Sequence, residues 1–116
     1  MTQAGVVTGT VAYRERIALP LDQTSVEVEL QDVSKQDAPA VTIARQIIQP
    51  KTQVPIPFQL EYDPKQIDPQ RSYVVRARIL ANGNLRFTST DVYRVITQEN
   101  PTEVNILVRG VSGQSN

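Results

Sequence analysis

Cysteine, histidine and tryptophan are absent from this 116-residue chain. Without thiols or imidazoles the chain has no disulfide, no haem or iron–sulfur ligation through Cys, no imidazole base and no ordinary zinc site. Carboxylates, Lys and Tyr are the acids and bases that remain. Lys and Arg number 12, Asp and Glu also 12, so the formal net charge is zero. A balanced chain gives no reason to expect nucleic acid or an anionic membrane as the main partner, although local patches are a separate matter. No apolar run reaches the roughly 18 residues of a transmembrane helix. Residues 1–5 (MTQAG) lead into a strand-like segment where a signal peptide would have a basic and then an apolar region. Two expectations stay open: a cytoplasmic chain, or one whose targeting segment has been removed.

What is present is β-structure. Residues 6–15 are rich in β-branched side chains, with Gly9 marking a bulge or a close backbone approach. Val26, Val28 and Leu30 alternate with Glu27, Glu29 and Gln31, the period of a half-buried strand. Over 41–49, Val41, Ile43 and Ile47 share one parity with Arg45 between them, which reads as a short or edge element. Ile56, Phe58, Leu60 and Tyr62 share a face, and the missing donors of Pro55 and Pro57 place that strand at an edge. Residues 63–69 form a loop with room for one helical turn, from which Ile67 plugs the end of the core.

Tyr73, Val75, Ala77 and Ile79 point inward from the strand over 72–81. Asn82-Gly83-Asn84 then turns the chain into 85–89, and a longer or bulged turn, aligning Ile79 with Phe87 and Ala81 with Leu85, keeps like faces together. A short β-prone piece at 92–96 and a strand over 102–111 complete the chain. Seven or eight short strands and no helix of about 10 residues predict a single all-β domain over 1–111, an antiparallel two-sheet sandwich, with a frayed tail over 112–116. A small barrel is the alternative.

No chemistry stands out. Asp32, Asp37, Asp63, Asp68 and Asp91 lie in loops or near strand ends, where a hard cation could be held, but aspartates in turns more commonly cap their own backbone. Ser34 and Lys35 are adjacent in a polar loop, a poor base for nucleophilic catalysis. The glycines form neither a phosphate loop nor a dinucleotide fingerprint. Tyr13, Tyr62, Tyr73 and Phe87 carry the parity of the core and not of a nucleic-acid-binding face. The expectation is a non-enzymatic module with no cofactor and no metal. Its candidate protein-binding edge is Ile43, Arg45 and Ile47, which serves equally for a homodimer, and its candidate surface patch is Arg76, Arg78, Leu80 and Leu107. Arg76 and Arg78 facing Glu27 and Glu29 as cross-strand pairs is the plain structural alternative, and Arg14, Arg16 and Arg94 extend the functional one.

Residues 15–20 (ERIALP), 30–34 (LQDVS), 37–40 (DAPA), 55–58 (PIPF), 62–64 (YDP), 67–68 (ID), 73–79 (YVVRARI) and 85–91 (LRFTSTD) resemble, in order and spacing, the YbaY-like and YscW-type lipoprotein family. The resemblance implies a small β-sandwich of the bacterial envelope or periplasm. For the YscW-type branch it implies a pilotin-like role, helping a secretin reach the outer membrane. It supplies no catalytic residues. The leader and lipidated Cys of that pattern have no counterpart here, so anchoring is not carried over to these residues. A domain that binds a small ligand or cation between its end loops is the rival expectation, with carboxylate acid/base catalysis behind it.

Overall fold

The computed structural model describes residues 5–35 and 37–111. Eight strands form: β1 (Gly5–Ala12), β2 (Thr24–Asp32), β3 (Val41–Ile48), β4 (Ile56–Tyr62), β5 (Tyr73–Ala81), β6 (Asn84–Ser89), β7 (Arg94–Val95) and β8 (Glu103–Gly110). Among the described residues, single 3-10 turns at Leu21–Gln23 and Pro64–Gln66 are the helical elements. In the second, Pro64 needs no donor at the first helical position and the Asp63 carboxylate accepts the Lys65 N–H at 2.9 Å.

The strands make one sheet, in the order β3-β2-β5-β6-β8-β1-β4, with β7 paired to the start of β5. This overturns the expected two-sheet sandwich. Two pairings join what would otherwise be separate sheets: β6 runs antiparallel to β8, with Ser89 opposite Val108, and β8 runs parallel to β1, with Val11 opposite Ile106. The parallel pair also departs from the all-antiparallel expectation. With β3 and β4 at the two ends of the path and lying against each other, the sheet curls into a nearly closed barrel. Closure removes most of the free edge that an open sheet carries.

The core fills the barrel. Alternation in β2 buries Thr24, Val26, Val28 and Leu30, and that in β5 buries Tyr73, Val75, Ala77, Ile79 and Ala81, as the pattern of each strand predicts. Val74, of the opposite parity, is buried as well, with Arg94 of β7 opposite it. Tyr13 stacks on Phe87 with centroids 4.4 Å apart and planes 9° from parallel. Ile67 packs against the core from its loop. The anticipated close approach at Gly9 is present: a Cβ there would lie 1.6 Å from the Val104 carbonyl oxygen.

The β5–β6 hairpin combines both turn lengths weighed from sequence. Asn82 (φ 53°) and Gly83 (φ 79°) form a two-residue turn that sets Ala81 opposite Asn84. A bulge then shifts the register, so Ile79 meets Phe87 as expected, whereas Leu85 meets Leu80 instead of Ala81. The predicted tail over 112–116 lies outside the described residues.

Candidate protein-binding surface

The acidic loop residues are engaged with their own chain. Asp32 accepts the Ser34 N–H and hydroxyl at 2.9 and 2.6 Å and Arg71 at 3.0 Å, and Asp68 accepts the Gln70 N–H at 2.9 Å. Burial pushes the Asp32 carboxyl up, but the Ser34 bonds and the Arg71 guanidinium outweigh it and hold the group below the usual carboxylate range. The Ser34 hydroxyl also accepts the Ser72 N–H at 2.9 Å, so it ties two loops together. Among the described residues no three metal-ligating side chains gather.

β2 and its neighbours position the charged patch. Register sets Glu27 opposite Arg78 and Glu29 opposite Arg76 on one side, and Arg45 opposite Glu29 on the other. Arg78 pairs with Glu27. Glu29, with two arginines in register, takes Arg45, whose Nη2 lies 2.7 Å from Oε2, while Gln31 donates to its second oxygen at 2.9 Å. Arg76 is exposed and makes no ion pair among the described residues. Leu80 and Leu107 face outward by parity but are half-buried. Leu80 faces Leu85 across the hairpin, and Leu107 sits on β8, strands away from Arg76. The four residues therefore do not form one patch.

The candidate edge is more informative. β3 is an end strand of the sheet path, as its pattern suggested. Ile43, Arg45 and Ile47 do not share one face, however. Leu30 stands opposite Ala44 and Gln31 opposite Thr42, so Ile43 is the extra residue of a bulge. It turns against the core, leaving Arg45 and Ile47 outside. Ile47 is 62% exposed, and Val41, at the other end of the strand, is 59% exposed. A cleft of about 350 Å³ adjoins that end, lined by the apolar run 38–41 with Lys35, Asp32 and Arg71 at its margin. Sequence reasoning placed Val41 on the same face as Ile43 and Ile47 and did not include it in the candidate edge; the bulge at Ile43 separates their environments.

Across the seam, the Gln59 N–H donates to the Gln46 side-chain oxygen at 3.3 Å. No β3–β4 ladder is formed among the described residues. The seam is thus bridged by a side chain, and the main-chain polar groups on the outer side of β3 have no strand partner among the described residues.

A family model described as a type III secretion system lipoprotein chaperone, YscW, matches residues 2–108. The uncharacterized lipoprotein YbaY of Escherichia coli (strain K12) is 34% identical over 93 residues, covering 79% of this chain and 48% of that protein. The chain thus spans about half the length of this curated relative. The solved structure of an alternative pilotin from the type II secretion system of Vibrio cholerae is 46% identical with a TM-score of 0.89, covering 96% of this chain and 100% of that one.

Proposed function

The chain belongs to the YscW family of type III secretion lipoprotein chaperones, and from that premise we propose that it is a non-enzymatic domain of the bacterial envelope that holds a segment of a secretion-system protein at β3. The observation that carries this reading is the outer edge of β3, where Val41 and Ile47 are more than half exposed on a strand with no ladder partner on that side among the described residues. An unpaired edge gives main-chain hydrogen bonds to an incoming segment, and flanking apolar side chains give it specificity. The pilotin relative belongs to a type II secretion system, and the pilotin-like role that the sequence resemblance implies makes an outer-membrane secretin the partner class.

Affinity capture from envelope extracts, with the purified domain as bait, tests the proposal. A secretion-channel protein is recovered with the wild type, and its recovery falls at least about tenfold with Val41→Lys plus Ile47→Lys. Both positions are exposed, so the variant keeps its melting temperature. Ile43 is unsuited to this test because it packs on the core. Equal recovery by wild type and variant, or recovery of no envelope protein, overturns the proposal.

A further inference from the structure

β1 and β8 run side by side with Ala12 opposite Leu107. Two residues further along each, Arg14 and Arg109 line the same cleft of about 400 Å³, with half-buried Leu107 and buried Val108 among its apolar lining and Glu15 at its side. Arg109 is loosely held: its Nε donates to Thr90 Oγ1 at 3.2 Å, and its Nη2 lies 3.9 Å from Asp91 Oδ2 in an ion pair whose two side chains are both more than half exposed. Arg86 belongs to the same region, since its carbonyl accepts the Val111 N–H just beyond β8. Arg16 follows Arg14 in the same loop, and all four arginines are exposed; the carboxylates placed beside them are Glu15 and Asp91.

An aliphatic side chain is held out beside these charges. Ile17 is 50% exposed, and its loop is fixed: the Tyr13 hydroxyl donates to the Ile17 carbonyl at 2.7 Å, and the Gln53 amide bonds both the N–H and the carbonyl of Leu19, at 2.7 and 3.0 Å. A fixed loop that presents Ile17 between Arg16 and core-anchored Leu19 cannot fold the side chain away.

We propose that this face seats on an anionic phospholipid surface, with Arg14 and Arg109 taking a headgroup phosphate and Ile17 entering the boundary between headgroups and acyl chains. Guanidinium groups match phosphate oxygens as forks, and neighbouring like charges are unfavourable until an anion comes between them. Arginine around an exposed aliphatic is the chemistry of interfacial attachment. The fold fits this use. β6 and β8 occupy the middle of the sheet path and β3 and β4 its ends. Register sets Gly110 level with Phe87, Ile79, Val26 and Ile48 in turn, so the arginine cleft lies at the end of the strands remote from Val41 and the cleft beside it.

Co-sedimentation of the domain with vesicles tests this, and needs no protein partner, so its outcome is separate from that of the capture experiment. Vesicles of phosphatidylcholine with roughly 30% phosphatidylglycerol bind the wild type at least about tenfold more tightly than pure phosphatidylcholine, and added salt weakens the binding. Arg14→Glu plus Arg109→Glu lowers binding to the level of neutral vesicles, Arg14→Gln plus Arg109→Gln lowers it less, and Ile17→Ser weakens it at constant charge. All three variants keep the wild-type melting temperature and still capture the β3 partner. Equal partition into the two vesicle types, or unchanged binding by the glutamate and glutamine variants, overturns the proposal. A parallel titration with inorganic phosphate, followed by the Arg Nε resonances, separates the sources: shifts without vesicle binding assign the cleft to free phosphate and overturn the membrane assignment.

Discussion

The Gln46 side-chain oxygen accepts the Gln59 backbone N–H at 3.3 Å, where the two end strands of the sheet meet. That N–H points away from β1, and alternation along the strand directs the nitrogen of Pro57 the same way. Pro57 has no hydrogen there to donate, so its side of the seam is blunted while the β3 side is not. The geometry makes β3 the receptive strand of the pair.

Replacing Gln46 with Ala tests the bridge. The Gln59 N–H transfers to water, so stability falls by no more than about 1 kcal/mol. The Gln59 amide is expected to exchange with solvent deuterons about tenfold faster or more, with the amides of β2 and β5 unchanged. An unchanged Gln59 rate would show that the seam is held by something other than this bond.

Gly9→Ala is expected to be far more damaging than its size suggests. The added Cβ meets the Val104 carbonyl oxygen at 1.6 Å, a backbone atom that moves only if β8 moves. A loss of about 3 kcal/mol or more follows, read from urea unfolding. The same substitution at Gly83, where a Cβ meets no atom within 4 Å but φ is +79°, carries the smaller backbone cost of about 1 kcal/mol.

The loop after β7 holds three non-glycine residues at positive φ: Ile96 at 76°, Gln98 at 60° and Glu99 at 67°. The Thr97 N–H donates to the Val95 carbonyl at 2.8 Å, closing a tight three-residue turn around Ile96. Glu99 is exposed, so Glu99→Gly relieves backbone strain without opening a cavity. A gain of about 0.5–1 kcal/mol is expected in thermal or urea unfolding.

Asp32 makes stability depend on acid. Its carboxyl lies below its ordinary value of 3.8 in the folded chain, so the unfolded chain binds the proton first as pH drops. Its contribution is therefore full above the unfolded pKa and is lost as pH falls through the folded one. Melting temperatures of the wild type and Asp32→Asn should differ at neutral pH, with the wild type higher, and converge as the carboxyl is protonated. A gap that persists at the lowest pH would assign the effect to geometry instead of charge.

Much of this was legible from residues. The alternation in β2 and β5 fixed their inward faces, and like-with-like pairing gave Ile79 opposite Phe87, though not the two-residue turn that sets Ala81 opposite Asn84. The architecture was not legible, for a physical reason. Val104, Ile106 and Val108 alternate in the same way whether β8 lies parallel or antiparallel to its neighbour, and it is the parallel contact with β1 that joins the sheet. Nor does the sequence reveal which arginine Glu29 takes, since Arg45 and Arg76 both stand in register with it. The β3 site was half legible. Its edge position follows from its pattern, but the bulge that separates Ile43 from Ile47 depends on how Leu30 and Gln31 meet the strand, a tertiary fact.

The pairing of β1 with β8 also bears on how the chain is made. Thr10 and Asn105, whose side chains bond at 2.9 Å, are 95 residues apart, so the first strand acquires one of its two neighbours only after nearly all the chain is available. Contacts of such long sequence separation slow folding. A chain emerging N-terminus first, from a ribosome or through a translocation pore, would thus hold β1 without its full complement of partners until β8 appears, and would remain threadable until late in its passage.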